Sequence, residues 1–189
     1  EVTLVIYNTK TAEKVTLAIG EPRDHFLTAV TWDPSGQSIY VGVLNREQNH
    51  LKLNHYSAQD GRFIKTLFEE TASTWVEPQN DLLFLPNNTK QFLYQSDREG
   101  FNQLYLYNTD GKLIKKLGHE NLIVQQLGEF SPKGDKISYT GVTNDGLDRQ
   151  LFELDIKTGK TTQLTQDRGT HNAKLNSDGT YVLDQYSNL

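Results

Sequence analysis

The sequence predicts an all-β chain built from repeated four-stranded antiparallel units, and three observations carry that expectation. First, one hairpin recurs. LYLYNTDGKLIKKL, starting at Leu104, alternates in character, turns at Asp110-Gly111 and alternates again, and similar stretches start at Leu4, Leu53 and Leu151, about fifty residues apart. Second, another hairpin alternates with the first, covering 27–44, 81–96, 127–142 and 171–186. Its turns hold Asp33-Pro34-Ser35-Gly36, Pro86-Asn87-Asn88, Ser131-Pro132-Lys133-Gly134 and Asn176-Ser177-Asp178-Gly179, where Pro presets φ and Gly or Asn accepts the positive φ. Third, no segment keeps a 3.6-residue period, so helices should be few.

Each unit reads as strands a to d, with an apolar first strand and a more polar last one. Four-stranded units at this period are the signature of β-propeller blades. An immunoglobulin-like sandwich would not repeat the same two hairpins in the same order. The expected organisation is one partial propeller domain over 1–189: a half blade of strands c and d at 1–20, full blades at 21–70, 71–119 and 120–168, and a half blade of strands a and b at 169–189. That is about four blades' worth, half of an eight-bladed ring. Leu27, Val30, Leu83, Phe84, Phe130 and Ile137 fall on strands a and b and are expected between blades. Trp32, ending an inner strand, is expected in the core as well.

Composition narrows the function classes. The chain has 189 residues, a net charge of −5 and both signs scattered along it, which excludes the basic face that nucleic-acid binding needs. No apolar run approaches a membrane span. Cys is absent, so there are no disulfides, Cys-ligated zinc or thiol catalysis, while the compartment stays open. The apolar share of 35% is modest, but 10% aromatic residues, in phase with the alternation, favour many short half-buried strands. The chain starts at Glu1 and contains no Met, which reads as a processed or excised segment from which a targeting peptide could have been removed.

The search for catalytic and metal motifs finds none. Gly36-Gln37-Ser38-Ile39-Tyr40 lacks the second Gly of a nucleophile elbow and lies in a hairpin rather than a strand-to-helix turn. His119-Glu120 begins a zinc-helix motif, but Ile123 stands where the second His belongs. Gly141 and Gly146 have phosphate-loop spacing, but Leu147 replaces the Lys. TNDGLD, 143–148, is as well explained by a turn as by a calcium loop. His25, His50, His55, His119 and His171 show no ligand spacing. Catalytic residues, metal sites and cofactors are therefore expected to be absent. Asn87-Asn88-Thr89 is a formal glycosylation sequon in a hairpin turn. Glu69-Glu70 could bind a cation, although paired carboxylates at a strand end are usually solvated. Trp75 lies in the irregular connector EETASTWVEPQND, and connectors lie at propeller faces, where ligands meet the ring.

Residues 21–70 resemble a blade of the dipeptidyl peptidase IV propeller, where a Thr-Trp strand follows a similar connector. STWVEP and QFLYQSDREGFNQLYLYNTDGKLIKKL, within 73–117, are similar to the following blade, especially in bacterial relatives. GTHNAKLNSDGTYVLDQYSN, 169–188, resembles the segment shortly before those enzymes enter their hydrolase domain. The order of the three stretches carries the likeness.

The resemblance implies the non-catalytic propeller of a serine exopeptidase of the prolyl oligopeptidase clan, which releases Xaa-Pro or Xaa-Ala dipeptides from peptide N-termini. It implies an α/β-hydrolase domain as partner, a periplasmic or extracellular, bacterial setting, and a gating role in which the ring admits only short or extended peptide ends. Neither the hydrolase motif Gly-Trp-Ser-Tyr-Gly nor the family's Asp-Trp-x-Tyr-Glu-Glu-Glu motif occurs here, so Glu69-Glu70 does not inherit the amine-gripping role. The connector matches a segment that approaches the far end of the substrate, which makes Trp75, Glu77, Gln79 and Asn80 the candidate substrate-binding residues; Gln79 and Asn80 stand where some members carry an aromatic and an arginine. The alternative is a stand-alone binding or scaffold propeller with no attached enzyme. The two half blades also raise the expectation of a homodimer in which two chains complete an eight-bladed ring.

Overall fold

The computed structural model describes residues 2–20, 24–78, 80–119, 121–143 and 146–188. Among the described residues sixteen strands form sheets that pair antiparallel except at one bridge, and there is no α-helix. A two-stranded sheet of β1 (Val5–Tyr7) and β2 (Lys14–Thr16) opens the chain. A four-stranded sheet comes next, β3 (His25–Trp32), β4 (Ser38–Asn45), β5 (His50–Ser57) and β6 (Phe63–Thr71), paired in sequence order. The third sheet has β7 (Leu83–Leu85), β8 (Asn88–Ser96), β9 (Gln103–Asn108) and β10 (Leu113–Lys116) in the same order. The last comprises β11 (Ile123–Phe130), β12 (Lys136–Thr143), β13 (Asp148–Asp155) and the short β14 (Thr161–Gln163), joined by the hairpin of β15 (Thr170–Leu175) and β16 (Val182–Ser187). β15 meets β13 in parallel at one position, Arg149 opposite Thr170. In chain order the sheets are blades one to four, and the β15–β16 hairpin is blade five.

The turns form for the reasons legible in the sequence. Asp33 Oδ1 accepts from the Gln37 and Ser38 amides, and Gly36 donates to the Asp33 carbonyl at φ +70°. Asn176 does the same for Thr180 and Tyr181. Such side-chain acceptors fix the reversal locally, before any blade packs.

Three apolar seams hold the blades together. Ile39, Val41 and Tyr56 pack with Leu17 at the first, Tyr40, Leu44, Phe92, Tyr94, Tyr105 and Tyr107 fill the second, and Leu93, Leu104, Leu106, Ile137 and Leu154 fill the third. Along β9, Leu104 and Leu106 face the third seam while Tyr105 and Tyr107 face the second. In blades two and three the expected half-buried strands are therefore buried on both faces at their middle, because each of these blades has a seam on either side. In these two blades strands b and c, not the first strand, are therefore the most deeply buried.

Two core expectations are corrected. Val30 is 40% exposed and Trp32 is 52% exposed. The cause is a bulge in β3: the register shifts between Thr28 and Thr31, and Ala29 sits at φ +48°. One inserted residue turns the rest of the strand to the other face. β11 carries a matching irregularity between Leu127 and Phe130, closed by Ser138 Oγ, which accepts from the Glu129 amide. Ile137 is fully buried, whereas Leu27, Leu83, Phe84 and Phe130 are half-buried. Among the described residues, the pairing of β1 is with β2 and that of β16 is with β15, so the two terminal hairpins do not pair with each other.

The up-and-down path sorts the loops onto two ends. The a–b and c–d turns share one end, where Ala58 donates to Gln37 O and Ile156 to Asp135 O. The b–c turns and the connectors between blades share the other, where Val76 donates to Gln48 O and Val124 to Asn102 O.

Candidate functional site

The connector end of the second seam gathers the sequence-singled residues. The connector runs from Ala72 to Leu82, between β6 and β7. Val76 and Leu82 are buried in the seam, and three hydrogen bonds tether the segment to blade two: Ala72 N to Asn49 O at 3.0 Å, Val76 N to Gln48 O at 2.7 Å and Leu82 N to Thr31 Oγ1 at 3.0 Å. Anchoring Val76 turns the preceding side chain outward, and Trp75 is 60% exposed. Glu77 and Asn80 are exposed too, while Gln79 lies outside the described residues. The connector thus offers an aromatic ring, a carboxylate and an amide to solvent on an anchored backbone.

Beside it lies a group that sequence reasoning missed. Glu70, expected to be solvated, is 6% exposed. Its Oε1 sits 2.5 Å from Arg98 Nη2, an ion pair across the seam. Arg98 also donates to Tyr107 Oη at 2.7 Å and Ser96 Oγ at 3.1 Å, and its guanidinium lies over the Tyr105 ring, 4.2 Å from the centroid. Tyr105 Oη donates to Glu99, which Lys116 also reaches at 2.5 Å. Burial pushes the Glu70 carboxyl above the usual carboxylate range, with the Arg98 guanidinium pulling against it. Burial works to lower the Arg98 pKa, but Glu70 and Tyr107 reverse the balance and hold it above its ordinary value. The alternate tyrosines of β9 are the sequence signal for such a cage; Glu70, on another blade, carries none.

Three of the histidines sit in defined contacts. His50 bonds Glu69 at 2.6 Å. His55 stacks on Tyr40, with centroids 4.7 Å apart, and burial, aided by Lys65, lowers its pKa. His171 is 3% exposed, with Nδ1 2.6 Å from Asp184 Oδ2 and Nε2 2.8 Å from Asp167 O. Burial opposes its charge, but those two acceptors raise its pKa above the ordinary value. Glu120, Asn144 and Asp145, from the zinc-like and calcium-like motifs, lie outside the described residues. Among the described residues no cluster of His, Asp or Glu is arranged to hold a metal ion.

The fold and this face define the class: part of a β-propeller that presents an anchored connector at a blade seam. Its family emerges from comparison. Residues 1–189 match the family of the dipeptidyl peptidase IV N-terminal region, and the chain belongs to it. Among solved structures, it is similar to a Bacteroides ovatus ATCC 8483 protein assigned as a dipeptidyl aminopeptidase IV, with 32% identity and a TM-score of 0.90 over 98% of this chain and 29% of that one. It shares the fold of Porphyromonas gingivalis dipeptidyl peptidase 4, with 22% identity and a TM-score of 0.81 over 98% of this chain and 26% of the other. The chain therefore spans less than a third of either protein.

Proposed function

We propose that this chain is the propeller portion of a dipeptidyl peptidase IV-like serine exopeptidase that releases Xaa-Pro or Xaa-Ala dipeptides, and that its ring gates access to an active site carried elsewhere in the parent protein. The match to the dipeptidyl peptidase IV N-terminal region over 1–189 carries this reading. The chemistry belongs to a partner α/β-hydrolase domain with Ser, Asp and His, and the propeller contributes walls. A rigid wall suits such a role, and blades two and three here are buried on both faces. The parent is proposed to work in the periplasm or outside a bacterial cell.

Trp75, Glu77, Gln79 and Asn80 are proposed to meet the far end of a peptide held in that active site. The exposure of Trp75 on an anchored backbone supports this. The test is kinetic. The full-length protein should cleave Gly-Pro and Ala-Pro chromogenic substrates and lose that activity to a serine-directed inhibitor. Trp75→Ala should raise KM for longer peptides while leaving dipeptide chromogenic substrates within about twofold. Absence of dipeptide release by the full-length protein would overturn the reading, and an equal effect on short and long substrates would overturn the connector's part in it.

A further inference from the structure

We propose that Arg98 is a positioning residue: it reaches across the second seam to Glu70 and sets the placement of the 72–82 connector, and so of Trp75. Among the described residues, the connector's backbone donates to blade two three times, to Asn49, Gln48 and Thr31. The connector nevertheless leads directly into β7 of blade three. Its path is therefore defined only if the two blades keep a fixed relation at this end.

Apolar packing at the seam is not directional and leaves blades free to tilt by small amounts. A guanidinium fixed by its own hydrogen bonds and held close against a buried carboxylate is directional. Two ion pairs cross this seam among the described residues, and they differ. Lys65 and Asp110, at the turn end, are 3.6 Å apart with Asp110 largely exposed, and such pairs constrain little. Glu70 and Arg98, at the connector end, are 2.5 Å apart and largely withdrawn from solvent. Glu70 lies two residues before the connector starts and is held in β6 opposite Leu51. Arg98 is held from blade three by Tyr107, by Ser96 of its own turn and by the Tyr105 ring beneath it. The guanidinium thereby joins the root of the connector to the blade that receives its other end.

This role of Arg98 is independent of whether the parent is a peptidase. The test is amide hydrogen exchange, read by mass spectrometry on the full-length protein, for peptides covering 72–82 and, as internal references, β4 and β12. Arg98→Lys keeps the charge but cannot fork to Glu70, Tyr107 and Ser96 together. The double variant Glu70→Met/Arg98→Met removes both charges and keeps volume, a replacement that commonly preserves global stability. Both should leave the reference strands within twofold of the parent and speed exchange of the connector tenfold or more. Tyr107→Phe removes one hydrogen bond and retains the ring, so it guards against misfolding of the others and should speed the connector two- to threefold. If the connector stays as protected as in the parent in Arg98→Lys and in the double variant, or if connector and reference strands loosen equally, Arg98 has no positioning role.

Discussion

Two glycines offer a controlled measurement of how closely the blades approach. Gly36 and Gly61 adopt nearly the same backbone, φ +70° and φ +72°. They differ in surroundings. A Cβ on Gly36 would meet nothing within 4 Å, whereas one on Gly61 would be driven into the Thr16 carbonyl oxygen of blade one and against Val15 Cγ1 at 3.0 Å. Gly36→Ala should therefore cost only the left-handed backbone penalty, about 1–2 kcal/mol. Gly61→Ala carries the same penalty and must also push the turn away from backbone that cannot rotate aside. That motion breaks the 2.8 Å bond from Ala18 N to Gly61 O, worth about 1 kcal/mol, and adds overpacking of about 1–3 kcal/mol. The sum is about 3–6 kcal/mol, so the two variants should differ by about 2–4 kcal/mol. Equilibrium urea unfolding of the chain, with midpoint and slope compared between variants, reads the difference directly. Costs agreeing within about 0.5 kcal/mol would refute the close approach at the first seam. Gly111, whose Cβ would strike the Leu67 carbonyl, repeats the experiment at the second seam.

Burial and charge set the other expected outcomes. Ile137→Ala, at a fully buried site, should cost about 2–5 kcal/mol in the same urea assay, and Val30→Ala, past the β3 bulge, should stay within about 0.5 kcal/mol. Because the folded pKa of His171 is raised, its contribution is complete below the unfolded value, about 6.5, and is lost as pH rises through the folded value. Thermal melts of the parent chain should therefore fall more steeply above about pH 6.5 than those of His171→Gln, and parallel profiles would show that His171 does not hold the β15–β16 hairpin through its charge. The 189-residue chain alone should not hydrolyse a Gly-Pro chromogenic dipeptide; turnover that survives purification and yields to a serine-directed inhibitor would contradict the assignment of the chemistry to another domain.

The candidate site was only partly legible. Trp75 stood out because its connector breaks the alternation, and the structure places it outward beside the buried Val76. Arg98 and Glu70 did not stand out. A charged residue in a turn and a carboxylate at a strand end both look solvated when read locally, and their burial arises only when blades two and three close.

What the sequence by itself determined is local. Hairpins, their order and their reversals come from alternation over a few residues and from Asp, Asn, Pro and Gly at fixed turn positions, such as Asp33 capping the amides of Gln37 and Ser38. The tertiary structure alone decided which faces those strands hide. The Leu and Tyr residues of β9 divide between two seams because a blade stands on either side, and Val30 and Trp32 face solvent because one bulge reverses the pleat. The Glu70–Arg98 pair belongs to the same category. Periodicity encodes alternation along a strand, but burial depends on the neighbour across the seam, which comes from a distant part of the chain.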